Sequence, residues 1–600
     1  MLNGMATQAP SPRLTAPAAG RRRTIGEVWR RATTSGRSTA AYVHELDGAW
    51  KEVSWAEAGR RVDELAHGLL SLGLRRGERF AILAQTRLEW ALLDFAMARI
   101  GVVVVPVYPT SSDRDCAYIL EHSEAVGVVV EDEQQRARLE RIRQEAPRVK
   151  HLLAFPDLDD LAARGRMHAK ERPDAVEEIE SAIGEDDLLM IVYTSGTTGP
   201  PKGCMMLHRN YTAVVEALDQ IDDFHRAGER CLLFLPLAHT YAQLTLYAAA
   251  YAGYAIAFCP DMTRIPEAID AVRPASMPSV PRVYEKVHGA VLAQFDAATG
   301  VKRKLVDWAL RVGRESSRRL RAGESVPFGL AVQRRLADRL VYSKVKAKLG
   351  GNLRFGVSGA APISVEILEF FHALDIQILE GYGLTESSSG CSVNRPNQFR
   401  FGTVGPILPG LEARIDTDGE ILIRGDNVFA GYYKDEEATR GALTEDGWLR
   451  TGDVGTLDED GFLTITDRKK DIIVTAGGKN VAPQNIENEL KISKYVSQAL
   501  AVGDRRPYLV ALVTLDEAEA RKAGVSGDLA TSAEARKLVQ GVVDELNAAR
   551  ASYEQVKRFA ILPRDLSAEE GELTPTLKVR RRQVEANWAS TIDELYAAPK

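Results

Sequence analysis

Short apolar runs rich in branched residues, each followed by a stretch of helical periodicity, are what most constrain this chain. "RFAILAQ" (79–85), "VVVVPVYP" (102–109) and "VGVVVED" (126–132) read as strands, and "SWAEAGRRVDELAHGLLSLGL" from Ser54 places apolar residues at helical spacing. Strands separated by helices of this length predict βαβ units and a mostly parallel sheet over 50–192, with a second such series over 210–295. The pattern resumes at "LRFGVSGAAP" (353–362). From about residue 400 it becomes strand-rich and turn-rich, as in "GLEARIDTDGEILIRGDNVFAGYY", where "DTDG" reads as a hairpin turn.

The expected fold is therefore α/β. A large N-terminal domain (31–466) has parallel-type sheets flanked by helices and includes a small β-rich subdomain (411–466). A smaller, mobile α/β domain follows over 467–600, with "TDRKKD" as linker, and residues 1–30, which hold a basic cluster, read as a flexible tail. Between Val301 and Gly350 stand 14 Lys or Arg against 4 Asp or Glu, within a basic helical insertion over 296–350. This is either a solvated helical face or a patch facing anionic lipid or an acidic ligand.

Six hundred residues exceed one core and predict two to four domains. The net charge of −6 gives no global attraction to nucleic acid. Cys116, Cys204, Cys231, Cys259 and Cys391 contain no CxxC pair, which argues against a structural zinc site or disulfide scaffold and fits a reducing cytoplasm. The stretch 231–259 lacks Asp, Glu, Lys and Arg, so a membrane span has to be weighed. Pro236, His239, Gln243 and several tyrosines and threonines interrupt it, which favours a buried strand, loop and helix.

The apolar run "LLMIVYT" leads into "YTSGTTGPPKG" (193–203). Thr194, Ser195, Thr197 and Thr198 offer hydroxyls, Gly196 and Gly199 let the backbone approach an anion, and Lys202 adds a mobile positive charge. The composition points to phosphate, although the spacing differs from the common P-loop. The bland alternative is a polar strand-to-helix turn.

"EGYGLTESS" (380–388) sets Glu386 beside Thr385. A carboxylate near phosphate needs a cation between them, and Mg²⁺ prefers oxygen ligands. Equally, Glu386 could be a helix N-terminal residue stabilised by the dipole. Asp453 of "TGD" could accept from two sugar hydroxyls or be a turn aspartate. Lys578 of "GELTPTLKVRR" would, read alone, be a solvated surface lysine.

Together, "YTSGTTGPPKG", "GYGLTE", "TGD", "DRKKDIIVTAGGKNVAP" and "TPTLK", in this order, resemble the adenylate-forming superfamily of acyl-CoA synthetases, peptide synthetase adenylation domains and luciferases. The resemblance covers roughly 50–600. "VPRVYEKV" (280–287), "AGGKNVAPQNIE" (476–487) and "LTPTLKVRR" bring it nearest to bacterial long-chain fatty-acid CoA ligases of the actinobacterial type.

That resemblance implies ATP, Mg²⁺ and coenzyme A, and a fatty-acid substrate. It implies that Thr194, Ser195, Gly196, Thr197, Thr198, Gly199 and Lys202 close over the ATP phosphates. Gly359, Ala360 and Ala361 would line the adenine and acyl side, and Gly381, Tyr382 and Gly383 would border adenine, with Tyr382 stacked on it. Thr385 would touch the α-phosphate, Glu386 and Thr194 would serve the metal, and Asp453 and Arg468 would hold the ribose. Lys578 would be the adenylation lysine and Lys470 the hinge about which the small domain swings; many members carry aspartate there. His239 would gate the acyl pocket; its other reading is a satisfied core histidine.

The function so implied is ATP-dependent activation of a long-chain fatty acid as its adenylate and transfer to CoA. Two alternatives stand beside it. One is an acyl-AMP ligase loading a carrier-protein thiol, which the basic insertion disfavours. The other is a membrane adaptor with a dead nucleotide site, which the intact motifs disfavour. The resemblance also leaves open a homodimer and a peripheral membrane contact through 301–350.

Overall fold

The computed structural model describes residues 23–194, 200–548, 550–567, 569–574 and 579–597. Two sheets organise the larger part. The first has six strands in the order His151–Ala154, Ala125–Val130, Arg79–Leu83, Val103–Val107, Leu188–Thr194 and Lys202–Leu207. All neighbours are parallel except the last pair. Every residue of Val103–Val107 is buried, as the unbroken apolar run requires when both faces of a sheet are covered.

The second sheet has eight strands: Ser392–Val393, Gln377–Tyr382, Phe355–Ser358, Ser276–Ser279, Arg230–Leu233, Ala255–Phe258, Ala40–Leu46 and Ala49–Ser54. It is parallel through its centre and antiparallel at both edges. One apolar cluster joins the two sheets through the helices Trp55–Ser71, Leu88–Arg99, His208–Asp219 and Thr240–Ala252. The last is apolar on all sides, as a helix buried between sheets should be, and ends at Gly253 in the left-handed region (φ 84°). The stretch 231–259 is thus strand, loop, helix and strand. No helix among the described residues is long and apolar enough to cross a membrane.

The tail expected over 1–30 needs correction. Residues Ile25–Thr34 form a helix whose Ile25, Val28, Trp29 and Ala32 are buried, capped by the Thr24 hydroxyl, which accepts from the Glu27 amide at 3.2 Å. Burying Trp29 in the core is incompatible with a free tail; residues 1–22 lie outside the described part.

The insertion is helical: Gly300–Arg321, Phe328–Ala337, a π-turn over Asp338–Tyr342, and Ser343–Lys348. It rests on the helix Val365–Ala373 through the Ser317 hydroxyl and His372 Nδ1 (2.7 Å). Several of its cations are paired, including Arg321 with Glu369 and both Arg334 and Lys346 with Asp375.

The β-rich unit is an antiparallel sheet of Glu412–Ile415, Glu420–Arg424, Leu449–Leu457 and Leu463–Arg468. "DTDG" makes the first hairpin turn, with the Asp416 amide donating to the Glu420 carbonyl at 2.8 Å and Gly419 at φ 86°. Its last strand runs through Arg468, past the expected boundary at 466, because Arg468 pairs in register with Asp453. Beyond it, the strands Val496–Val502, Leu509–Leu515 and Val556–Ile561 carry helices on both faces and close two apolar clusters of their own. Arg282 reaches across to this module, donating to the Ser497 carbonyl and, at 2.7 Å, to its hydroxyl.

Candidate active site

One large cleft, about 1960 Å³, lies between the larger part and the C-terminal module. It lies at the C-terminal ends of parallel strands, where open α/β sheets place their ligands.

Thr194 ends one strand and Lys202 starts the next, and the two are register partners in an antiparallel pair. The glycine-rich stretch therefore joins a β-hairpin; it is not a strand-to-helix turn, and this accounts for its departure from the P-loop pattern. Ser195, Gly196, Thr197, Thr198 and Gly199 lie outside the described residues. The Lys202 ammonium sits 3.2 Å from Asp435 and over the Tyr432 ring. The strand that Lys202 begins is tied to the segment 430–433: the Met205 amide donates to Gly431 O (2.9 Å), and Tyr433 N to Gly203 O (2.8 Å).

Glu386 lies in a short 3₁₀ turn, Thr385–Ser387. Its Oε1 accepts from the Tyr432 hydroxyl at 2.8 Å. Burial pushes the Cys204 thiol far up, the Glu386 carboxylate pushes it further, and a Thr194 hydrogen bond opposes them. Thr194, Cys204, Glu386 and Tyr432 thus form one group at the hairpin base. Gly383 fits there because a Cβ would lie 2.2 Å from the Ser389 backbone.

Asp453 is buried and holds two partners: the Tyr382 hydroxyl donates to Oδ2 at 2.7 Å, and Arg468 Nε lies 3.1 Å from Oδ1. Gly359, Ala360 and Ala361 follow the strand Phe355–Ser358 and line the cleft; Ala360 adopts φ 68°, a left-handed backbone that costs a non-glycine residue energy. Gly381, Thr385 and the exposed Lys470 line it too. His239 caps the helix Thr240–Ala252, its Nδ1 accepting from the Tyr241 amide at 3.1 Å, and faces the cleft half-buried. Lys578 lies outside the described residues; Thr574 and Val579 on either side of it line the cleft, and Leu573 and Val579 form an antiparallel bridge.

Sequence reading missed three cleft residues. Tyr432 holds Glu386 from 46 residues away. Glu380 is buried with its carboxyl raised to about 8 by burial and accepts from the Gly402 amide at 3.2 Å. Arg282 was legible only as part of "VPRVYEKV". Tyr432 had one signal, the paired tyrosines of "AGYY".

The chain belongs to the AMP-binding enzymes, the adenylate-forming superfamily: the profile of that family matches residues 28–433, and that of the AMP-binding enzyme C-terminal domain matches 470–600. Within it the chain is similar to the long-chain-fatty-acid–CoA ligase FadD15 of Mycobacterium bovis, 39% identical over 92% of this chain and 94% of that protein. It is also 32% identical to the mouse (Mus musculus) long-chain-fatty-acid–CoA ligase 6, over 96% of this chain and 87% of the other. Among solved structures, the adenylation domain of a carboxylate reductase from Mycobacterium chelonae superposes with a TM-score of 0.75 at 23% identity, covering 97% of this chain and 92% of that one. At that identity the likeness speaks for the fold alone.

Proposed function

We propose that this enzyme activates a long-chain fatty acid with ATP and passes the acyl group to the thiol of coenzyme A, releasing pyrophosphate and then AMP. The observation that carries the reading is that one cleft holds both halves of the chemistry. Asp453, Arg468 and Thr194 line it together with an apolar set, Tyr241, Leu244, Ala248 and Met277, which this proposal assigns as the acyl branch. The kinship with FadD15 supports it.

A carboxylate is a poor acyl donor because oxide would have to leave. Its oxygen attacks the α-phosphorus of ATP in line, and the bond to the bridging oxygen breaks as pyrophosphate departs. Lys202 and the hairpin loop grip the departing pyrophosphate, Asp453 and Arg468 hold the ribose hydroxyls, and Lys578 balances charge on the carboxylate and α-phosphate. His239, half-buried in the lining of the same cleft, is assigned to the entry of the acyl chain.

Mg²⁺ fits the oxygen donors of Glu386 and Thr194. No cluster of three or more His, Cys, Asp or Glu able to hold a metal exists among the described residues, so the cation would be shared with the nucleotide phosphates. Bound there, it would neutralise phosphate charge. In the second half-reaction the CoA thiolate attacks the acyl carbonyl and AMP leaves. Rotation about Lys470 would withdraw Lys578 and present the face around Lys479.

We place the enzyme in the cytoplasm with a peripheral membrane contact. Phe328, Val332 and Leu336 are exposed at four-residue spacing on one helix, near Arg335 and Arg339. A homodimer is compatible with this arrangement. The deciding experiment measures pyrophosphate release and thioester formation across fatty acids of graded length, with CoA or carrier protein as acceptor. Thioester formed only on carrier protein would overturn the CoA reading in favour of an acyl-AMP ligase.

A further inference from the structure

On the reading above, the acyl branch runs towards a cluster of four rings whose loop is held from outside. The branch follows the strand Phe355–Ser358 backward from Gly359, and the helix Thr240–Ala252 from Tyr241 to Ala248. Four strand residues span about 13 Å and seven helical ones about 10 Å. At its end Phe224 packs on Phe355 (ring centroids 5.2 Å) and on His225 (4.9 Å), and His225 stacks on Tyr254 (4.8 Å). All four rings line the cavity.

Phe224 and His225, the plug on this reading, lie in a loop outside regular helix, after the helix His208–Asp219, with Asp223 in the left-handed region at φ 62°. Arg354, the residue before the strand, holds that loop. Its guanidinium donates to the carbonyls of Asp223 (2.9 Å) and Phe224 (3.4 Å), and to Glu229 Oε2 through Nε (3.0 Å) and Nη2 (2.7 Å). It also lies over the Phe355 ring. One side chain therefore fixes the backbone that carries the plug, the acidic residue beside it, and the ring against which the plug packs.

We infer that Arg354 is a latch on acyl chain length: it holds Phe224 and His225 across the end of the acyl branch, so that a long chain is seated fully only when their loop is released. This rests on the acyl-activating reading above. An extended alkyl chain advances about 1.3 Å per carbon, from C–C bonds near 1.5 Å. The latched branch then takes on the order of eight to ten carbons past the carboxyl. Longer chains are seated fully only when the loop carrying Phe224 swings out. Arg354 is a positioning residue here, since it meets the acyl chain only through the plug.

The test compares kcat/KM for pyrophosphate release with decanoate and palmitate in the wild type, Arg354→Gln and Phe224→Ala. Both variants are expected to raise the palmitate-to-decanoate ratio on the order of tenfold, the gain from about two more buried methylenes. A ratio unchanged in both variants overturns the latch. Should Arg354→Gln fail to fold, by loss of its thermal transition, Phe224→Ala decides alone. Absence of pyrophosphate release with any fatty acid in the wild type would instead overturn the acyl-activating reading, so the two failures are separable.

Discussion

The Tyr432 hydroxyl donates to Glu386 Oε1 at 2.8 Å, so the carboxylate assigned to the cation is oriented from a segment that is itself tied to the hairpin beginning at Lys202. Tyr432→Phe removes a bond to a charged group worth about 1.5–3 kcal/mol. The Mg²⁺ concentration giving half-maximal pyrophosphate release should rise about tenfold, with the fold intact. An unchanged Mg²⁺ dependence would show that the bond is structural only.

Asp453 couples the Tyr382 ring to Arg468. Asp453→Ala leaves the buried Tyr382 hydroxyl without its acceptor, costing about 1–3 kcal/mol of stability. Because the same carboxylate is assigned to the ribose, the KM for ATP should rise about tenfold or more while that for the fatty acid moves little. Equal changes in both constants would count against ribose binding.

Asp94 is wholly buried beside Tyr247, and burial raises its carboxyl to about 7. An acid whose folded pKa exceeds its unfolded value of about 3.9 holds its proton longer in the folded state, so its contribution to stability declines as pH rises from about 4 to about 7. Asp94→Asn should therefore leave stability near wild type at pH 4 and gain about 2–4 kcal/mol on it by pH 8. Denaturant midpoints of both proteins at the two pH values check this; a constant offset would contradict it.

Arg282 bridges the large part to Ser497 of the C-terminal module. Arg282→Ala should loosen the module, and trypsin should cut after Lys469 or Lys470 on the order of tenfold faster, matching the loss of about 1–1.5 kcal/mol of hydrogen bonding. Cutting at the wild-type rate would mean that other contacts hold the orientation.

Lys578→Ala separates the half-reactions. It should lose pyrophosphate release by a factor of about 100 or more, as removal of a charge-stabilising donor does, yet retain transfer from supplied acyl-adenylate to CoA. Equal loss in both halves would refute the proposed division of labour.

Much of the architecture was legible because it is local. "RFAIL", "VVVPV" and "AVGVVV" form parallel strands since branched residues buried on two faces permit little else, and "DTDG" turns because Gly419 accepts a left-handed backbone. The helix Ile25–Thr34 was hidden because a run of arginines before it resembles a tail, although Thr24 and Glu27 already spelled its cap. The hairpin nature of 193–203 was hidden because its second strand, "KGCMML", alternates poorly. Contacts such as Arg282 to Ser497, 215 residues apart, leave no trace in composition or period.

The strand Lys202–Leu207 stands at the margin of its six-stranded sheet. A bare margin invites another chain to add a strand, but here Gly203 and Met205 are already bonded to 430–433. The same bonds make the strand a fixed pier. The register pair Thr194–Lys202 is thus anchored from two sides, by the sheet and by 430–433, so this margin stays closed to strand addition, and the sheet soluble, whatever fills the cleft.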